Sequence, residues 1–247
     1  MVMRLVYFFL FMLLVYPAAV FAASVNVNIE GMILSEIKEA HTISEGLLSS
    51  SPELYNAGSV SYAARVRLLV EDNSNEIFSS WSAKDAVMPG ERNDFNIFAY
   101  IESPGNYTAR LFGHYANDAF LLTEYNFSVT EHISASRSIM LSKPRIYDNK
   151  ITISVASETG ESGVAIMPVG YPKTWIFEQK TLSALPGKKT ARISIPYDAD
   201  IFSEKEIKLI AVSLDGEAFG QIEFPMKREH GFYKYISLIN DWICGAR

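Results

Sequence analysis

Cysteine is what the chain has least of. Cys244 stands alone among 247 residues, so no intramolecular disulfide can form and stability must come from packed cores. Histidine is also scarce: His41, His114, His132 and His230 lie far apart, and none belongs to an H-E-x-x-H or comparable metal spacing. They read as ordinary surface or rim residues. There is no G-x-S-x-G elbow, P-loop or G-x-G-x-x-G, and Gly160-Glu161-Ser162-Gly163 lacks the elbow's spacing. Positive charge is in deficit, with 22 Lys and Arg against 28 Asp and Glu, and the net charge of −6 would repel a phosphate backbone. Nucleic acid is therefore not an expected partner. Nothing in these patterns proposes an enzyme, a cofactor or a metal.

What is present is a folded protein's composition, 49% hydrophobic, 20% charged and 13% aromatic, on a chain with room for two domains of about 100 residues. The opening MVMRLVYFFLFMLLVYPAAVFAAS has one charge at Arg4, an apolar run, Pro17, and small residues at Val20, Ala22 and Ala23. That order predicts a signal peptide over residues 1–22, cleaved after Ala22, and an exported protein, extracellular or at the cell surface. The alternative is an uncleaved membrane anchor. No later run is long and apolar enough to span a bilayer.

In VSYAARVRLLV, Val60, Tyr62, Ala64, Val66, Leu68 and Val70 share one face while Ser61, Arg65 and Arg67 take the other, the period of a half-buried strand. Asn56-Ala57-Gly58 precedes it as a turn. Pro89-Gly90 then reads as a corner with a left-handed glycine, feeding Phe95 to Ile101; Ser103-Pro104-Gly105-Asn106 launches Tyr107 to Phe112, and Phe120 to Val129 closes the unit. A similar order recurs after residue 140. Ile151, Ile153 and Val155 alternate, Val164–Val169 and Thr174–Glu178 read as a hairpin around Gly170-Tyr171-Pro172-Lys173, and Leu185-Pro186-Gly187 precedes a strand with Ile193 and Ile195. The expectation is an all-β protein: two tandem immunoglobulin-like β-sandwiches over 24–132 and 139–227. A short amphipathic helix over 230–247 follows.

On Asn56-Ala57-Gly58, Pro89-Gly90-Glu91 and Gly105-Asn106-Tyr107, the first unit resembles the CARDB-type and related immunoglobulin-like adhesion domains of prokaryotic surface proteins, over roughly residues 50–130. The resemblance implies an extracellular binding or spacer module and brings no catalytic residues. The second unit has no Asn-x-Gly before its first strand.

Candidate contacts are aromatic. Phe98, Tyr100, Phe112, Tyr115, Tyr171 and Trp175 fall near turns or on nominal outer faces, where rings either pack or meet a sugar or protein. Tyr171, at the tip of its turn, is the best candidate for ligand contact, with Trp175 and Tyr115 beside it. Asn106-Tyr107-Thr108 and Asn126-Phe127-Ser128 fit the glycosylation pattern. Two acidic loops, Asp72 with Ser74 and Glu76, and Asp198 with Asp200 and Glu204, read as solvated turns, with weak calcium sites as the minority alternative. In the tail, Phe232, Ile236, Ile239 and Ile243 form a helical stripe flanked by Trp242, to fold on the second sandwich or to dock on a membrane or partner.

The functional expectation is a non-enzymatic adhesion or scaffold protein acting through protein–protein contacts with a protein or cell-envelope partner. A carbohydrate-binding or accessory module of a surface enzyme system is the alternative. Membrane contact is expected only through an uncleaved N-terminal segment or the tail.

Overall fold

A computed structural model describes residues 33–36, 41–44, 46–116, 118–130, 136–147, 149–199 and 205–226, and the described residues contain twenty strands and no helix. The expected signal peptide and C-terminal helix lie outside them. The protein is all-β.

Eleven strands make the first half: β1 (Ile33–Glu36), β2 (His41–Ser44), β3 (Leu47–Ser50), β4 (Glu53–Asn56), β5 (Tyr62–Asp72), β6 (Asn75–Trp81), β7 (Asp85–Val87), β8 (Arg92–Asp94), β9 (Ile97–Tyr100), β10 (Gly105–Tyr115) and β11 (Asp118–Val129). One sheet runs β11-β10-β5-β6 with β7 against β5, and the facing layer holds β2-β3-β9 and β1-β4-β8. The strand pattern read in β5 holds. Ala64, Val66, Leu68 and Val70 are fully buried while Arg65 and Arg67 point outward, because successive strand residues face opposite sides.

The second half contains β12 (Arg137–Leu141), β13 (Arg145–Tyr147), β14 (Lys150–Ser157), β15 (Val164–Val169), β16 (Ile176–Phe177), β17 (Lys180–Leu182), β18 (Thr190–Asp198), β19 (Lys205–Ser213) and β20 (Ala218–Met226). They form one network, β16-β18-β14-β12-β20-β19-β15-β17, with β13 on β14. β12 joins its two layers, pairing antiparallel with β14 and parallel with β20. That crossing requires Gly220, where a Cβ would stand 1.9 Å from the Ile139 carbonyl oxygen.

Two features of the second half differ from the sequence reading. Val164–Val169 does not form a hairpin with 174–178: β15 pairs with β17 and β19, and β16 crosses to pair with β18. β5 lies between β6 and β10, and β15 between β17 and β19, all antiparallel. The two Pro-Gly corners also differ. Gly90 takes φ +77° in a turn closed by Glu91 N–H on the Met88 carbonyl, as expected. In the second, Lys189 N–H bonds the Pro186 carbonyl and Lys188, not Gly187, is left-handed at φ 60°. Gly187 is needed for space, since a Cβ there would lie 3.0 Å from the Glu158 carbonyl oxygen.

The cores are unequal. The second, built on Ile151, Ile153, Ile166, Phe177 and Ile195, draws only on its own half. The first also takes in Ala165, Met167, Ile210 and Val212 from β15 and β19. Those two strands are buried on both faces, with Val164 and Ile166 turned into the second core and Ala165 and Met167 into the first. All described residues fall in one compact unit.

Candidate functional site

The outer face of the β11-β10-β5-β6 sheet carries a groove of about 420 Å³, floored by Leu69 of β5, Phe112 of β10 and Ala119 of β11. Its charged walls come from Arg67 and Glu71 of β5, Glu76 of β6, His114 of β10 and Lys173 of the second half. Strand alternation places them: register sets His114 opposite Arg65, Phe112 opposite Arg67, and Arg67 opposite Trp81.

At one end the cations gather on a tryptophan. The guanidinium carbons of Arg65 and Arg67 stand 5.1 and 5.5 Å from the Trp81 ring centre, and the His114 ring meets it at 4.6 Å and 61°. Burial, followed by the charges of Arg65 and Arg67, lowers the His114 pKa to about 4, so the imidazole is neutral at pH 7. Arg67 Nε donates to Ser79 Oγ at 3.0 Å, but its Nη2 is 3.9 Å from Glu76, too far for a hydrogen bond. Lys173 holds the other Glu76 oxygen at 2.6 Å. At the opposite end Arg110 bridges Glu71 at 2.9 Å and Glu124 at 2.7 Å.

The second half reaches the groove through Lys173, at the end of the turn that carries Tyr171. The Tyr171 side chain is half-buried: its ring packs at 4.8 Å from Phe177 and its hydroxyl donates to the Ser79 carbonyl at 3.3 Å, and burial pushes its pKa well above the usual range. Trp175 is not exposed. It is a core residue, 5% exposed, because β16 turns inward to join β18. Tyr115 lies at the far end of β10, edge-on to Tyr62 and Phe120. Phe98 and Tyr100 are also buried: the outer face of β9 is covered by the second half, where Phe219 stacks on Tyr100 at 5.1 Å. Of the six rings, Phe112 alone lines the groove.

Asn106 and Asn126 are both exposed and interlocked across β10 and β11. Ser128 Oγ donates to Asn106 Oδ1 at 2.7 Å, and Thr108 Oγ1 to Asn126 Oδ1 at 2.9 Å. In the first acidic loop Asp72 accepts from Asn73, while Glu76 is turned to Lys173. Among the described residues no three His, Cys, Asp or Glu side chains are gathered as metal ligands. Asp200, Glu204 and the tail residues Phe232, Ile236, Ile239, Trp242 and Ile243 lie outside the described residues.

Sequence reading missed the groove. Its signal was the Arg65-x-Arg67 pair on the polar side of a strand, which looks the same as a solvated face until Trp81 and His114 are brought beneath it.

No protein-family model matches the chain, and no curated protein does. Among solved structures, red sea bream transglutaminase is similar over 81% of this chain at 12% identity, with a TM-score of 0.28. The chain spans about 31% of that protein's length.

Proposed function

We propose that the chain is an exported, non-enzymatic adhesion or scaffold protein of two tandem immunoglobulin-like sandwiches, over 24–132 and 139–227, acting through protein–protein contacts at the cell surface. The observation that carries this reading is the way the halves are joined. Gln179, buried between β16 and β17, accepts the Phe98 N–H at 2.8 Å through Oε1 and donates through Nε2 to the Phe98 carbonyl and to Ser80 Oγ. Its own N–H donates to the Trp81 carbonyl at 2.8 Å. One residue thus bonds the free edge of β9 and the free edge of β6 and ties the two halves together. A stiff junction of this kind suits a module that holds a surface in place under load.

The resemblance of the first sandwich to CARDB-type adhesion domains supports the same reading, as does the apolar N-terminal segment on a chain with a single cysteine. The carbohydrate-binding alternative drew on exposed rings at Tyr171, Trp175 and Tyr115. Of these Trp175 is buried in the second core, while Tyr171 and Tyr115 are half-buried.

The test is surface labelling of intact source cells with a membrane-impermeant amine reagent, followed by adherence of purified residues 23–247 to those cells. Labelling and saturable adherence are expected. A protein that is protected in intact cells and does not adhere contradicts the proposal.

A further inference from the structure

We infer that the groove lined by Arg67, together with the Arg65 guanidinium that adjoins it over Trp81, is a docking site for a carboxylate-bearing peptide segment of the partner protein. The inference rests on the protein-contact reading above for the partner's class, and on the groove itself for its chemistry.

Charge complementarity points to the occupant. In a chain of net charge −6, Arg67 and Lys173 line one end of the groove with Glu76 between them, and Arg65 stands beside Arg67 over the Trp81 ring, next to His114. Lys173 makes the short contact to it, and Arg67 does not. Arg65 has no carboxylate partner among the described residues; its guanidinium rests on Trp81. Two like charges on one indole repel each other, and His114 beside them, buried and then opposed by their charges, stays unprotonated and brings no compensating anion. An incoming carboxylate relieves that repulsion and meets planar forks suited to paired hydrogen bonds.

The remaining lining selects the kind of anion. Glu71 and Glu76 stand in the same walls, so a densely charged polyanion is repelled. Leu69, Phe112 and Ala119 give an apolar floor for the neighbouring side chains of an extended segment. The volume of about 420 Å³ lies within the roughly 300–1,000 Å³ of ligand clefts.

The experiment uses purified residues 23–247 and a pair of blocked pentapeptides, Gly-Leu-Glu-Leu-Gly and its glutamine counterpart, titrated by calorimetry and by NMR of the histidine ring protons. The glutamate peptide is expected to bind at least tenfold more tightly and to raise the His114 pKa from about 4 toward the ordinary value. Arg65→Gln and Arg67→Gln should each abolish the preference. Because either loses a contact to Trp81, Lys173→Gln, at a side chain 73% exposed, serves as the variant that leaves the fold intact and should weaken binding several-fold. Equal binding of the two peptides, no binding, or an unmoved His114 overturns the inference. If the protein adheres to cells without telling the peptides apart, docking falls and adhesion stands. If it tells them apart without adhering, adhesion falls and the groove stands.

Discussion

The carbonyl of Asn56 accepts the N–H of Gly90 at 2.8 Å, and the Asn56 N–H returns to the Glu91 carbonyl at 3.1 Å, so the Asn-Ala-Gly turn and the first Pro-Gly corner are hydrogen-bonded to one another. The side chain completes the junction. Nδ2 donates to the carbonyls of Val60 and Val87, each at 2.8 Å, and Oδ1 accepts from Gly58 at 2.9 Å. Motifs 33 residues apart in sequence, at Asn56 and Pro89, are thus two sides of one structure.

Asn56 is fully buried, and its replacement leaves two carbonyls and one N–H without partners. Asn56→Ala is expected to cost about 2–4 kcal/mol, since unmade hydrogen bonds of buried groups are expensive. Urea unfolding followed by tryptophan fluorescence measures it; an unchanged midpoint contradicts the assignment.

Two glycines separate conformation from space. Gly90→Ala places a side chain at φ +77° with nothing within 4 Å, so only backbone strain of about 1–2 kcal/mol is expected. Gly220→Ala instead drives a Cβ against the Ile139 carbonyl oxygen and must part β12 from β20. Its melting temperature should fall further than that of Gly90→Ala, and the reverse order would show that β12 does not cross as described.

Acid should weaken the fold through His114. Its pKa falls from 6.5 in the unfolded chain to about 4 in the folded one, because burial and then Arg65 and Arg67 oppose the proton. The unfolded state therefore binds the proton first as pH drops, and stability present above 6.5 is lost down to about 4. Melting temperatures across that window should decline less steeply in His114→Gln than in the parent. Parallel curves would contradict it.

The junction should be breakable at one position. Gln179→Leu keeps the side chain's approximate bulk but leaves the buried N–H and carbonyl of Phe98 unpaired, a loss of about 2–4 kcal/mol. Hydrogen exchange should quicken at Phe98 and Trp81-adjacent amides and, because the two halves unfold together, at the Ile151–Val155 amides of the second core as well; exchange unchanged at Phe98 would contradict it.

What the sequence made legible was period two. In β5, one apolar face and one polar face gave both the strand and its orientation, and the turn at Gly90 followed from the conformational freedom of glycine. The second half hid its pairing for a physical reason. Val164-Ala165-Ile166-Met167 is a continuous apolar run, because β15 is buried between two cores, and such a run carries no alternation to orient it. Tyr171 stands at the same interface: a Gly-Tyr-Pro-Lys turn has the composition of an exposed tip, and only the neighbouring half shows that its hydroxyl reaches the Ser79 carbonyl. The groove is legible only from side chains of four strands and that turn together.

The central claim is that the two halves share packing across Phe98, Tyr100, Ala165, Met167, Ile210 and Val212 and unfold together. Differential scanning calorimetry of residues 23–247 tests it most directly. A single transition, with calorimetric and van't Hoff enthalpies that agree, is the predicted result. Two resolved transitions, or a van't Hoff enthalpy near half the calorimetric one, would contradict it.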